Sequence, residues 1–278
     1  MEGYRAGAFS GGADTTFFHF AMGIFGLQQG YAAMLNISGA KSYVSSAEKS
    51  VTCFWNAVMW GSFIFFDGRM LYGSPYDNLV GEGKTVPMEA MQFNIALFTA
   101  IALINLFGWQ DSGSVMPDFK SFGTAFKGSS RIPLFVVVLN SFWFGLGCGF
   151  MPEAFIEMYS PGLVASLPNS AVVGNMCYWI FGNAGKVMIF NVLKTFSIAS
   201  VGDVAASFRI HRLNAVVQSV YMGMFSRDQI IFSSMSWENP GRVMSFVQTF
   251  GTMFYLSKSM GDIAGSEMSF KKSAAKTK

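Results

Sequence analysis

The sequence predicts an all-α fold, a polytopic transmembrane helical bundle, on three observations. Hydrophobic residues make up 51% of the chain and charged ones only 13%, with a mean hydropathy of +0.38, whereas soluble domains carry about 25% charged residues. The charges bracket runs of roughly 20 uncharged residues, the length that crosses a ~30 Å hydrocarbon layer at ~1.5 Å per residue. No polar linker separates these runs. Residues 15–258 therefore read as one integral domain between an N-terminal segment, 1–14, and a basic tail, 259–278.

The first span lies between Asp14 and Lys41, 26 uncharged residues that include Phe17, Phe18, Phe20, Ile24, Phe25 and Leu27. The stretch from Ser50 to Gln110 supplies a hairpin of two: Ser50 to Phe66 and Ala90 to Gln110 carry no charge. The connection Asp67 to Glu89 holds turn chemistry in Gly73-Ser74-Pro75 and Pro87. A fourth span lies between Arg131 and Glu153, with the ladder Pro133 to Leu139. The fifth, about Ser170 to Leu193, includes Lys186, whose long side chain is expected to carry its ammonium back to the headgroups. Residues 213–226 and 243–257, 14 and 15 uncharged residues, are short for a crossing and either cross or lie in the interface.

Loop charge separates those two outcomes. The first, third and fifth loops hold eight basic residues, Lys194 and Arg209 among them, and the second and fourth hold two, Arg69 and Lys84. Basic loops face the inner side, so the end of the fifth span faces inward, and two further crossings return the lysine-bearing C-terminus to that side. This favours seven spans over five. Asn56, Asn140 and Asn214 recur near span starts, with Asn94, Asn175 and Gln248 following 38, 35 and 34 residues later. One leading helix plus three helical hairpins is the topology this repetition suggests.

No P-loop, GxSxG elbow or HExxH motif is present, and Glu153 with Glu157 reads as a solvated loop pair, so no enzyme and no catalytic residue is expected. The two histidines, His19 in a span and His211 at a loop edge, do not suit a bis-histidine haem. Cys53, Cys148 and Cys177 lie in separate spans without metal or disulfide spacing. Residues 1–14 contain no basic stretch leading into a cleavable apolar segment. The sequon Asn36-Ile37-Ser38 falls at the inner end of a span, where glycosylation does not occur.

Inside the spans the polar residues are neutral, and no carboxylate is expected at mid-depth, which leaves proton coupling without a carrier. Amides there hydrogen-bond between helices. His19, Gln28, Asn56, Asn94, Asn140 and Asn175 are the candidate sites, either as ligands of a flat chlorophyll-type pigment packed by Phe and Trp or as amides lining a solute path. Gln29 to Met34, Phe54-Trp55 and Gln92-Phe93 resemble in spacing the acetate-uptake transporter family. The resemblance stops there: that family's Asn-Pro-x-Pro-x-Gly signature before its first helix is absent, and the nearest fragment, Asn239-Pro240-Gly241, stands near the other end.

Elimination makes the leading expectation a non-enzymatic subunit of a larger, energy-converting complex, photosynthetic or respiratory. It would sit in an organelle inner or thylakoid membrane with its C-terminus on the inner side. Its expected partners are lipids and other membrane subunits, not nucleic acid. The alternative is a facilitative channel or transporter for a small monocarboxylate or neutral solute.

Overall fold

A computed structural model describes residues 13–39, 44–71, 87–120, 131–159 and 175–201, and beyond them only 206, 209, 210, 213, 216, 217 and 220. Among the described residues there are six helices and no strand: α1 (Ala13–Gly39), α2 (Ser46–Leu71), α3 (Met88–Asp111), α4 (Arg131–Phe150), α5 (Pro152–Tyr159) and α6 (Asn175–Val201). Two segments are long and apolar enough to cross a membrane, Met88–Asp111 and Met176–Val201. Residues 243–257 and the tail lie outside the described residues, and of 213–226 only four are described, all helical.

Local chemistry sets the helix ends. Ser45 precedes α2, and its Oγ accepts the Glu48 N–H at 3.2 Å, which satisfies one of the donors left open in a first turn. Pro87, extended at φ −60° and ψ 142°, leads into α3. The far end of α3 closes where Gly113 turns left-handed at φ +99°, a conformation that costs glycine little, and Ser114 N–H returns to Trp109 O at 3.0 Å.

The hairpin expected from Ser50 to Gln110 is present as α2 and α3 packed antiparallel. Phe54 meets Trp109 near one end, and Trp60 and Phe63 meet Phe98 further along. Ser50 Oγ ties the ends together, donating to Trp109 O and accepting from Val115 N–H. The sequence expectation and the structure agree here because both helices are long, uncharged through their centres and separated by strong turn signals.

The centre of the packing is α6, which touches α1, α2, α4 and α5. It meets α4 through glycines. A Cβ on Gly185 would stand 2.3 Å from Gly149 N and 2.7 Å from Gly145 O, so the two backbones approach as only small residues allow. Gly147 likewise leaves room for the Phe155 ring. That ring belongs to α5, a helix where the sequence reading expected a loop. Pro152 at its first position and Glu153 in its first turn fit a helix start, and both Glu153 and Glu157 are exposed on it.

Three charged residues lie elsewhere than expected. Lys194, expected in an inner loop, sits on α6, which continues to Val201, and is fully buried. Lys186, expected to reach the headgroups, is buried between helices. Asp67, expected to open a loop, lies inside α2 and is 2% exposed. In each case the helix outlasts the uncharged run; for Lys194 the neighbouring helices supply acceptors in Asn36 and Asn56, and for Lys186 α2 supplies the Phe66 ring.

Candidate functional site

A buried polar face runs along α6 through Asn191, Lys194 and Thr195, spaced so that they share one side of the helix. Each meets a partner from another helix. Asn191 Nδ2 donates to Gln28 O at 3.0 Å and to Gln28 Oε1 at 3.2 Å. Thr195 Oγ1 is 3.0 Å from Tyr31 Oη, which fastens α1 to α6 one turn further on. Beyond them Trp55 Nε1 donates to Ser197 Oγ at 2.7 Å and joins α2 to the same region.

The most connected point is Lys194. Its Nζ donates to Asn56 Oδ1 at 2.5 Å and to Asn36 Oδ1 at 3.4 Å. Asn56 Nδ2 in turn donates to Asn36 Oδ1 and to Asn105 Oδ1, both at 3.0 Å, and Asn105 Nδ2 is held by Ile101 O at 2.8 Å. Four helices, α1, α2, α3 and α6, thus converge on one ammonium and three amides. An ammonium has three donors, and two are used here. Among the described residues the only ion pair joins Arg209 to Glu48, so Lys194 has no carboxylate at contact distance. A buried cation without a counter-charge is expensive unless an anion or dense hydrogen bonding compensates it.

A second station lies toward the other end of α2. Lys186 Nζ donates to Asn183 Oδ1 at 3.2 Å and stands 3.9 Å from the centre of the Phe66 ring. Asp67 Oδ1 and Trp179 Nε1, an acceptor and a donor, are buried without a hydrogen-bond partner among the described residues.

Of the residues singled out from sequence, Gln28 and Asn56 are buried and lie on this polar face, two α6 partners apart. Asn94 is half-buried on α3 and stands 11 residues, about 16 Å along the helix, from Asn105. His19 lies on α1, Asn140 on α4 and Asn175 at the start of α6, and their side chains lie outside the described residues. Sequence reasoning missed Lys194 and gave Asn36 no role beyond an accidental sequon, although Lys194 stands one residue past the expected end of the fifth span. Extending that span by a single residue would have included it. Among the described residues no group of three or more His, Cys, Asp or Glu is placed to hold a metal.

No family model matches the chain, and no curated protein or solved structure is significantly similar to it.

Proposed function

We propose that the chain is an integral membrane bundle of about seven spans that passes a small solute along the polar face of α6. The observation that carries this is Lys194, fully buried with two amide acceptors and, among the described residues, no carboxylate in contact. Such a site favours a ligand that brings negative charge, so a small anion, a monocarboxylate included, is preferred over a neutral solute. Amides from two helices touch it and Asn105 of a third joins through Asn56, so a change at the ligand is felt by four helices at once. The expectation of a passive subunit rested on spans without a carboxylate at mid-depth or a charge-coupling group, and the burial of Lys186, Lys194 and Asp67 favours the solute-passing reading over it.

The test is flux. Purified chain in liposomes should admit lactate or chloride faster than protein-free vesicles, and faster than it admits glycerol. Asn56→Leu, which leaves Lys194 with its longer contact only, should reduce the anion flux by about tenfold or more while the helical content stays unchanged. Equal rates with and without protein would remove the reading.

A second reading, a non-enzymatic subunit of an energy-converting complex in an organelle inner or thylakoid membrane, is favoured by α3. Its large apolar side chains Phe93, Ile104 and Phe107 are each 68% exposed, a surface that other subunits or pigments would cover as readily as lipid. Gln28, whose Oε1 already accepts from Asn191, has less to offer a pigment than it seemed to have as an isolated amide. Stable co-purification with other subunits, or visible absorption from the purified chain, would support this second reading. Its C-terminus would still face the inner side, because the loop asymmetry keeps its sign without Lys194, seven basic residues against two.

A further inference from the structure

We propose that Asp67, Trp179 and Lys186 form a proton-binding station that couples anion movement to a proton gradient. The inference rests on the solute-passing role proposed above and adds the driving ion. The sequence argument against coupling was that no carboxylate lies at mid-depth; Asp67 lies in the last turns of α2, yet it is 2% exposed and so is held inside the bundle.

The geometry is that of an unfinished pair. Asp67 Oδ1 and Trp179 Nε1 are a buried acceptor and a buried donor without a formed hydrogen bond among the described residues, and the indole stands near enough to act on the carboxyl as a donor. Trp179, Asn183 and Lys186 recur at four and three residues along α6, so the indole and the ammonium share one face of that helix. Lys186 acts electrostatically on Asp67, yet no ion pair joins them. The ammonium is held aside by Asn183 Oδ1 and the Phe66 ring. A fully formed ion pair would fix the carboxylate in its charged form. A lysine kept near but out of contact leaves Asp67 free to take up and release a proton.

Among the described residues the surrounding charges are few, and on α2 itself Arg69 follows Asp67 by two positions. From α6 the charged group facing Asp67 is Lys186. On α1, residues 21–39 contain no charged side chain. On α3 the acidic residues are Glu89 and Asp111, at its two ends and exposed. Among the described residues Asp67 is therefore the carboxyl placed to titrate inside this part of the bundle. Lys186 and Lys194 are eight residues apart, about 12 Å along α6, close enough in a weakly polarisable interior for charge at one site to bias the other. An anion arriving beside Lys194 adds negative charge and favours the protonated form of Asp67. The proton comes from water and binds a carboxylate oxygen, which leaves a neutral carboxyl, and no bond to the anion forms or breaks. Anion and proton together add no net charge to the bundle.

Two measurements separate this inference from the transport reading. Difference infrared spectra of the purified chain between acidic and alkaline pH should show the C=O stretch of a protonated carboxylic acid that Asp67→Asn abolishes. In liposomes, an inward chloride gradient should drive proton entry reported by a trapped pH dye, and Asp67→Asn should cut that entry by about tenfold or more while chloride flux persists. Trp179→Phe, which keeps the carboxyl and removes its donor, should move the infrared band without removing it and provides the readout if Asp67→Asn does not fold. A band retained in Asp67→Asn, or proton entry unchanged by it, overturns the station and leaves the transport reading standing. A band that behaves as expected in a chain that moves no anion overturns the transport reading and leaves the proton site.

Discussion

The helices α3 and α6 are similar in length and both apolar enough to cross a membrane, yet their surfaces meet different things. Of an 18-residue apolar stretch in each, 67% is buried in the bundle for α6 and only 11% for α3. The apolar surface of α6 is spent on other helices, and a polar face with two buried lysines passes through its middle. That of α3 points outward, with Phe93, Leu97, Ile104 and Phe107 exposed and one flank laid against α2. Hydropathy measures how much apolar surface a helix has, and the comparison shows that it does not say what covers that surface. Function follows the covering: a buried helix can hold charge away from water, while an outward one can only meet lipid or a partner.

The sharpest way to break this contrast is to add volume to both helices. Gly185→Leu on α6 drives a side chain into the backbone of α4 at Gly149 and Gly145. Overpacking costs ~1–3 kcal/mol where side chains can yield; here backbone must move, so the loss should exceed about 3 kcal/mol and appear as failed folding or a large fall in melting temperature in detergent. Gly108→Ala on α3 meets only the Cys53 Sγ, at 3.0 Å, and a small change is expected. The next largest effect tests what lies outside α3. Leu97→Arg puts a charge on its outer face near the centre of the helix. In hydrocarbon that costs ~2.5–3.5 kcal/mol, and in water a surface change stays within about 0.5 kcal/mol. Membrane insertion of the variant, assayed against wild type, decides between them, and unimpaired insertion would mean that α3 does not face lipid.

The contrast also explains what was legible in the sequence. The α2–α3 hairpin could be read because its signals are local: uncharged cores and Gly-Pro turn chemistry between them. The start of α5 was equally local, in Pro152 and Glu153, but the two glutamates drew the reading toward a loop. Lys194 was not legible. A lysine at the edge of an apolar run looks the same whether it reaches water or is received by Asn36 and Asn56, and those acceptors come from helices more than a hundred residues away. Asp67 was misplaced for the same reason. Burial of a charged group is decided by tertiary partners, and single-sequence patterns record only the spacing along one helix. Gln28 and Asn56 were singled out as amides inside long apolar runs, and the structure buries both, but the same pattern also marked Asn94, which is only half-buried.

The smallest effect concerns two amides that no periodicity can tell apart. Asn94 and Asn105 lie three turns apart on nearly the same face of α3, so an amphipathicity argument ranks them equally. Only depth along the bundle differs, and depth brings Asn105 to Asn56. Asn105→Leu leaves Asn56 Nδ2 with Asn36 Oδ1 alone. A buried group that loses a hydrogen-bond partner costs ~1–3 kcal/mol, and the strain passes through Asn56 to Lys194, so anion flux should fall along with stability. Asn94→Leu, half-buried and away from that cluster, should alter stability by less than about 0.5 kcal/mol and leave flux unchanged. Thermal melts and liposome flux on the pair give the answer in one experiment. Equal effects from the two would show that α3 serves the bundle through its whole inner face, and the special standing given to the level of Lys194 would be lost.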